Sequence, residues 1–314
     1  MIALLFAIAC SKNIFTQNSG HLTTDNTVSD IVNHQAFRGF GERLLPRDDN
    51  SANYDTKLFD IALLMPYHQN INPVVAVETL NHMVDEVQSN KTIFYDFYTE
   101  QQKQADRAKQ NTGLFFFKGK PNAPFAIICP GGGFSYVGSL HEGFPIALEL
   151  SKKGYNAFVI KYRTGGERVA CEDLAAAIAW VFTNAGTLEV STDNYSLWGF
   201  SAGARMAARL SSHGTKVYGE NHHPKPVATV MLYAGYTEFN YNDPPVFTVV
   251  GEYDKITPPA IMEQRVSTMR AAGIDVEFHH YPEVGHGFAL GTGTSAEGWI
   301  NNAVQFWERY MNNN

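Results

Sequence analysis

The chain has 314 residues, 44% of them hydrophobic and 13% aromatic, enough apolar side chain for one substantial core with room for an appended piece. A composition this apolar excludes a disordered chain. The formal net charge of −7, with no long Lys/Arg run, leaves no electrostatic footprint for a nucleic-acid backbone, so nucleic acid is excluded as an expected partner.

The chain opens on "MIALLFAIACSKN", an apolar run far too short to span a bilayer as a helix. It reads as the end of an export signal. Ala7, Ile8 and Ala9 ahead of Cys10 resemble a bacterial lipoprotein cleavage box, although Ala7 stands where Leu is usual and no basic stretch precedes it. Residues 1–10 are therefore assigned to an export or lipoprotein signal, with a lipid anchor at Cys10, plain secretion or a misassigned start as the alternatives, and the cell envelope or the exterior as the expected location. The other two cysteines, Cys129 in an apolar strand and Cys171 in a helical stretch, read as unpaired buried thiols.

Residues 11–36, rich in Asn, Asp, Ser and Thr, read as a tether, and 37–90 as an extension packed on the main body. Within it Asn72 and Pro73 look like the cap and first residue of a helix, with Val77, Leu80, Val84 and Val87 on one face. From 91 to 314 strands and helices alternate, beginning with "TIFYDFYT" (92–99), "GLFFFKG" and "FAIICPGG". The later strands are "NAFVIKY", "YSLWGF", "VATVMLYAG", "PVFTVVGEYD" and "VEFHHYP", with helices expected near 142–152, 170–185, 202–212, 258–272 and 295–310. Such alternation implies an α/β fold, a mostly parallel sheet with helices on both faces and its site at the carboxyl ends of the strands.

Four strand ends carry unusual residues. "GFSAG" (199–203) places Ser201 where a strand turns into a helix, a turn so crowded that only small neighbours fit, as Gly199, Ala202 and Gly203 are. The helix that follows aims its free N–H groups at the site, where an oxyanion would form during acyl transfer. A serine needs a base, and the base a carboxylate to hold its tautomer. Asp254 ends "PVFTVVGEYD", ahead of Thr257 and Pro258 as the expected cap and first residue of the next helix; Glu252 and the more distant Glu283 are rival carboxylates. His286, between Gly285 and Gly287 after the strand "VEFHHYP", is the one histidine of eleven that combines a post-strand loop, paired glycines and the right place in the order. The Ser, Asp, His order is that of the α/β-hydrolase fold. The fourth end, "CPGGGFSY", is a glycine loop whose backbone N–H at Gly132 or Gly133 would complete an oxyanion hole with Ala202. No Gly-Lys-Ser/Thr follows, so it is not a phosphate loop.

"ICPGGGFSYVGSLHEGFPIALELSKKGYNAFVIKYR", "LWGFSAGARMAARL", "FTVVGEYDKITPP" and "EVGHGF" resemble the bacterial esterase branch of the α/β-hydrolases that holds acetyl-xylan and other carbohydrate esterases and dienelactone-hydrolase-like proteins. The resemblance covers about 110–310 and leaves 37–90 without a counterpart. It implies Ser201 as nucleophile, His286 as general base, Asp254 as its orienter, and Gly132 or Gly133 with Ala202 as oxyanion donors. Pro130, where lipase-like relatives carry the His of an HGGG loop, points away from that group, and a serine in the elbow points away from the cysteine chemistry of dienelactone hydrolases proper. Ala204 stands where a second glycine is often seen after the elbow.

Phe134, Tyr136, Tyr233, Tyr236 and Phe288 are candidate rings against a sugar face or small acyl group, and His141 and Glu142 could reach a polar substrate or cap a helix. The pairs His222/His223 and His279/His280 lack a third ligand at metal spacing, so no metal is assigned, and no cofactor is expected. The expected activity is a serine carboxylic-ester hydrolase removing small acyl groups, acetyl first, from a carbohydrate or similar polar alcohol. The alternatives are an amide hydrolase of the prolyl-oligopeptidase type, for which some 110 upstream residues give no room for a propeller, a lid-bearing lipase, and a non-catalytic binding module.

Overall fold

A computed structural model describes residues 20–47 and 53–311. Cys10 and the proposed signal lie outside the described residues.

Eight strands form one sheet in the order β1-β2-β4-β3-β5-β6-β7-β8. They are β1 (Phe94–Tyr95), β2 (Gly113–Phe117), β3 (Pro124–Cys129), β4 (Asn156–Lys161), β5 (Ser191–Phe200), β6 (Ala228–Leu232), β7 (Val246–Gly251) and β8 (Val276–Tyr281). Only the β1/β2 and β2/β4 pairs are antiparallel; from β4 to β8 every pairing is parallel. The stretch 92–99 joins the sheet through two residues alone, because the chain turns away into helix α3 (Glu100–Ala105), capped by Thr99.

Strand side chains alternate between two covering layers, which is why these strands are apolar at nearly every position. Phe115, Phe117, Ile128, Val159, Trp198 and Phe200 bury on one face. There they meet α4 (Phe144–Lys152), α8 (Trp299–Met311) and, from the extension, α2 (Pro73–Gln88). Leu114, Phe116, Ile127, Phe158 and Leu197 bury on the other, under α5 (Glu167–Leu188) and α6 (Ala202–His213). Helix α7 (Pro259–Ala271) covers β7 and β8 and begins one residue later than expected, with Pro258 at the cap position and Pro259 first in the helix. Cys129 and Cys171 are free and buried. No helix among the described residues is long and apolar enough to cross a membrane.

The extension builds part of the core. The Asn72 side chain caps α2 through the N–H groups of Val74 and Val75, and Val77, Leu80, Met83 and Val84 go inward. The boundary placed at 36 is too late: α1 (Val28–Val32), with its Thr27/Asp30 capping box, buries Val28 and Ile31, and Leu22 is buried as well. The backbone of Leu22 pairs in both directions with the Asn81 amide on α2. The polar composition of 20–36 hid a few apolar residues, and those residues are what docks it.

Candidate active site

Ser201 sits between β5 and α6 with φ 50 and ψ −117, a conformation that L residues rarely adopt and that costs about 1–3 kcal/mol. Its neighbours are small by necessity. A Cβ on Gly199 would overlap the backbone of Gly203 and Ala204, and one on Gly203 would overlap the carbonyl of Cys129 at the end of β3. The Ser201 N–H donates to the Leu232 carbonyl, which anchors the turn to β6.

The structure brings Ser201, His286 and Asp254 together. His286 Nε2 lies 2.9 Å from Ser201 Oγ, and His286 Nδ1 lies 2.7 Å from Asp254 Oδ2. The other Asp254 oxygen accepts the N–H groups of Ile256 at 2.9 Å and Thr257 at 2.6 Å, so the carboxylate is fixed from both sides. Asp254 and His286 are buried. Of the three candidate carboxylates it is Asp254 that meets His286 Nδ1, while Glu252 accepts the Glu283 N–H.

The loop after β3 presses on the serine from the other side. A Cβ on Gly131 would stand 2.9 Å from the Cβ of Ser201, and Gly132 (φ 129) and Gly133 (φ 63) follow in conformations that favour glycine. Among the described residues no acceptor takes the N–H groups of Gly132, Gly133 or Ala202. The Gly131 N–H is taken, by Glu142 Oε2 at 2.7 Å.

Glu142 is fully buried and ends three hydrogen bonds. Besides Gly131, it accepts from the Tyr233 hydroxyl at 2.7 Å and lies 2.9 Å from His68 Nε2. Burial pushes its carboxyl upward, but His68, His141 and the Tyr233 hydroxyl outweigh that and hold it at about 2. His141, buried beside it with Nε2 2.9 Å from the Gly287 carbonyl, is pushed down to about 4 by burial and by His68. Both side chains are buried and bonded within the protein rather than open to solvent, unlike the substrate-facing placement expected for them.

Three residues of the extension that the sequence did not single out border the site. Tyr67, His68 and Gln69 follow a 3-10 helix (Leu58–Leu64) and run between the glycine loop and the His286 loop. The Gln69 N–H donates to the carbonyls of His286 and Gly287 at 3.1 and 3.3 Å. His68 Nδ1 lies 2.8 Å from the Tyr136 hydroxyl, and its Cα would stand 2.9 Å from a Cβ on Gly287. The half-exposed Tyr67 ring stacks on Tyr136 and faces Gly133. No spacing rule ties position 68 to position 142. The available signal was indirect: Gly138, Gly285 and Gly287 leave out a Cβ where this segment passes.

Of the rings expected against substrate, only Phe134 keeps an accessible face, half-buried with the Arg205 guanidinium 5.9 Å from its centroid. Tyr136, Phe288 and Tyr236 are buried, and so is Tyr233. Tyr136 is spent on Tyr67 and His68, Phe288 packs on Tyr233, and Tyr236 lies among Arg209 and Arg265; their places at strand ends serve packing. Among the described residues no group of His, Cys, Asp or Glu is placed to hold a metal ion.

Comparison with known proteins agrees with this architecture. The family described as BD-FAE matches residues 117–241, and the prolyl oligopeptidase family matches residues 215–314. An acetylxylan esterase of Xylanibacter ruminicola is 24% identical over 217 residues, which span 56% of this chain and 43% of that protein. The chain thus spans less than half the length of the curated relatives it matches. An α/β hydrolase enzyme from a Medee basin deep-sea metagenome library superposes with a TM-score of 0.56 at 24% identity, covering 64% of this chain and 93% of that one. A propionate-bound esterase from Thermogutta terrifontis gives 0.57 at 18%, covering 63% and 89%. The mostly parallel sheet and these superpositions give the chain the fold of the α/β-hydrolase enzymes, with the serine elbow between β5 and α6.

Proposed function

We propose that the protein is a serine carboxylic-ester hydrolase that removes acetyl and similarly small acyl groups from a carbohydrate or other polar alcohol. The observation that carries the chemistry is the unbroken run Ser201 Oγ, His286 Nε2, His286 Nδ1, Asp254 Oδ2, with 2.9 and 2.7 Å at its two links. His286 takes the Ser201 proton as Oγ attacks the ester carbonyl, and Asp254 stabilises the imidazolium that results. The negative charge on the former carbonyl oxygen falls to the free N–H groups of Ala202 and of Gly132 or Gly133. His286 then returns its proton to the departing alcohol, leaving an acyl-Ser201. Water, deprotonated by the same imidazole, attacks that ester and regenerates the serine.

Support for the acetyl-carbohydrate substrate comes from the acetylxylan esterase relative and from Phe134, a ring beside the glycine loop that would shorten the acyl slot. The prolyl oligopeptidase match over 215–314, which holds Asp254 and His286, favours amide hydrolysis as a second reading. One panel decides between them: p-nitrophenyl esters from acetyl to octanoyl, acetylated xylan, and peptide amides. Preference for acetyl and propionyl with acetate release from xylan is expected. A rate that is flat or rising to octanoyl, or amide cleavage faster than ester cleavage, would overturn it.

A further inference from the structure

We propose that His68 and Glu142 are positioning residues, a buried pair that fixes the glycine loop and the His286 loop relative to one another and so makes the N-terminal extension a working part of the site. The inference rests on the ester-hydrolase reading above. Every hydrogen bond of the Glu142 carboxylate ends on a different segment. Oε2 receives the Gly131 N–H, one residue before the expected oxyanion donors, together with His68 from the extension. Oε1 receives the Tyr233 hydroxyl at the end of β6, and the Tyr233 oxygen in turn accepts the Ala289 N–H beyond His286. The Tyr233 ring also stands against the imidazole of His286, with centroids 4.9 Å apart.

His68 holds the same two loops from the other end. Its Nδ1 is bonded to Tyr136, whose ring and carbonyl fill the space where a Cβ on Gly132 would go. Its backbone lies against Gly287, and the next residue, Gln69, donates to the carbonyls of His286 and Gly287. A buried hydrogen-bonded polar pair is weak evidence for stability, since a well-packed apolar pair serves a core as well or better. Directional bonds reaching Gly131, Tyr136 and Tyr233 at once do what apolar packing cannot: they set the angle of an N–H. Acceleration by an oxyanion hole depends on that angle being right before the charge appears.

The test uses the full chain and three variants, His68→Gln, Glu142→Gln and Glu142→Ala. Active sites are counted by the p-nitrophenol released in complete reaction with paraoxon, so that misfolded protein drops out. Per counted site, kcat and KM are measured on p-nitrophenyl acetate, and Ki for a short alkyl trifluoromethyl ketone. That ketone adds Ser201 Oγ to its carbonyl carbon, passes the serine proton to His286 and leaves an oxyanion in the hole. His68→Gln is expected to lower kcat/KM roughly 10- to 100-fold, short of the 10²–10³ for deleting a donor outright, and to raise the ketone Ki by a matching factor. Glu142→Gln, which keeps an acceptor for the Gly131 N–H, is expected to lose less than Glu142→Ala. Wild-type kcat/KM per site in His68→Gln and Glu142→Gln, or a fall in kcat/KM without a rise in Ki, would overturn the proposal. If Glu142→Ala fails to fold, the two amide variants decide. If the wild type neither hydrolyses the ester nor reacts with paraoxon, the ester-hydrolase reading itself falls and takes the pair with it.

Discussion

Gly203 packs against the carbonyl oxygen of Cys129 with no room for a Cβ between them. The first turn of α6 thereby touches the end of β3, and the serine elbow touches the glycine loop. Both partners are backbone, so neither can swing aside. Gly203→Ala is expected to cost about 3 kcal/mol or more of stability, the upper part of the usual overpacking range. Urea unfolding of the variant beside the wild type measures it, and a loss under about 1 kcal/mol would mean the elbow can relax.

Asp254 is held by the N–H groups of Ile256 and Thr257, so Asp254→Asn should keep its place and fail chemically. An amide facing His286 Nδ1 favours the wrong tautomer, and kcat is expected to fall about 10⁴-fold with the protein folded. Glu252→Gln, at an exposed carboxylate bonded to the Glu283 N–H, should stay within a factor of about two. The reverse pattern would move the orienting role to Glu252.

Phe134 is the one expected substrate ring that stays accessible, and its removal should lengthen the acyl slot. Phe134→Ala is expected to raise the ratio of butyrate to acetate turnover about tenfold or more, since relief of a steric block exceeds the roughly 0.8 kcal/mol of one extra buried methylene. An unchanged ratio on p-nitrophenyl esters would place the acyl group elsewhere.

Stability should fall with acid in two overlapping stages centred on the cluster behind the glycine loop. His141, held at about 4 against an ordinary 6.5, stays neutral in the folded protein while the unfolded chain takes up a proton, so stability declines as pH drops from 6.5 towards 4. Glu142, held at about 2 against 4.5, contributes stability above 4.5 that is lost between 4.5 and 2. The groups facing Glu142 are His68 from the extension, His141 from its own turn, and the tyrosines Tyr136, Tyr162 and Tyr233. Urea midpoints across this range should show the lower stage flattened in Glu142→Gln and the upper one retained. Identical profiles would remove Glu142 from the account.

What was legible in the sequence is what short-range geometry dictates. Gly199, Ala202 and Gly203 announce an elbow because any larger side chain collides within a few residues, and the continuous apolar strands announce a sheet covered on both faces. The order of Ser201, Asp254 and His286 follows from strand succession. The illegible part is long-range and polar. Nothing near position 68 says that its imidazole will meet Glu142, and the aromatic residues at strand ends look alike whether they face a ligand or, as Tyr136 and Phe288 do, the interior. The docking of 20–36 rests on isolated residues such as Leu22 and Ile31, too few to register as a periodic pattern. Ile31→Ala, at a fully buried site, should cost about 2–5 kcal/mol, whereas a tether would lose nothing.

The most direct measurement is turnover of p-nitrophenyl acetate by purified Ser201→Ala. Alanine has the same Cβ as serine and fits the same backbone at φ 50, so the thermal midpoint should stay close to that of the wild type. The variant is expected to lose on the order of 10⁶ in kcat. Folded Ser201→Ala that kept most of the ester hydrolysis would contradict the account.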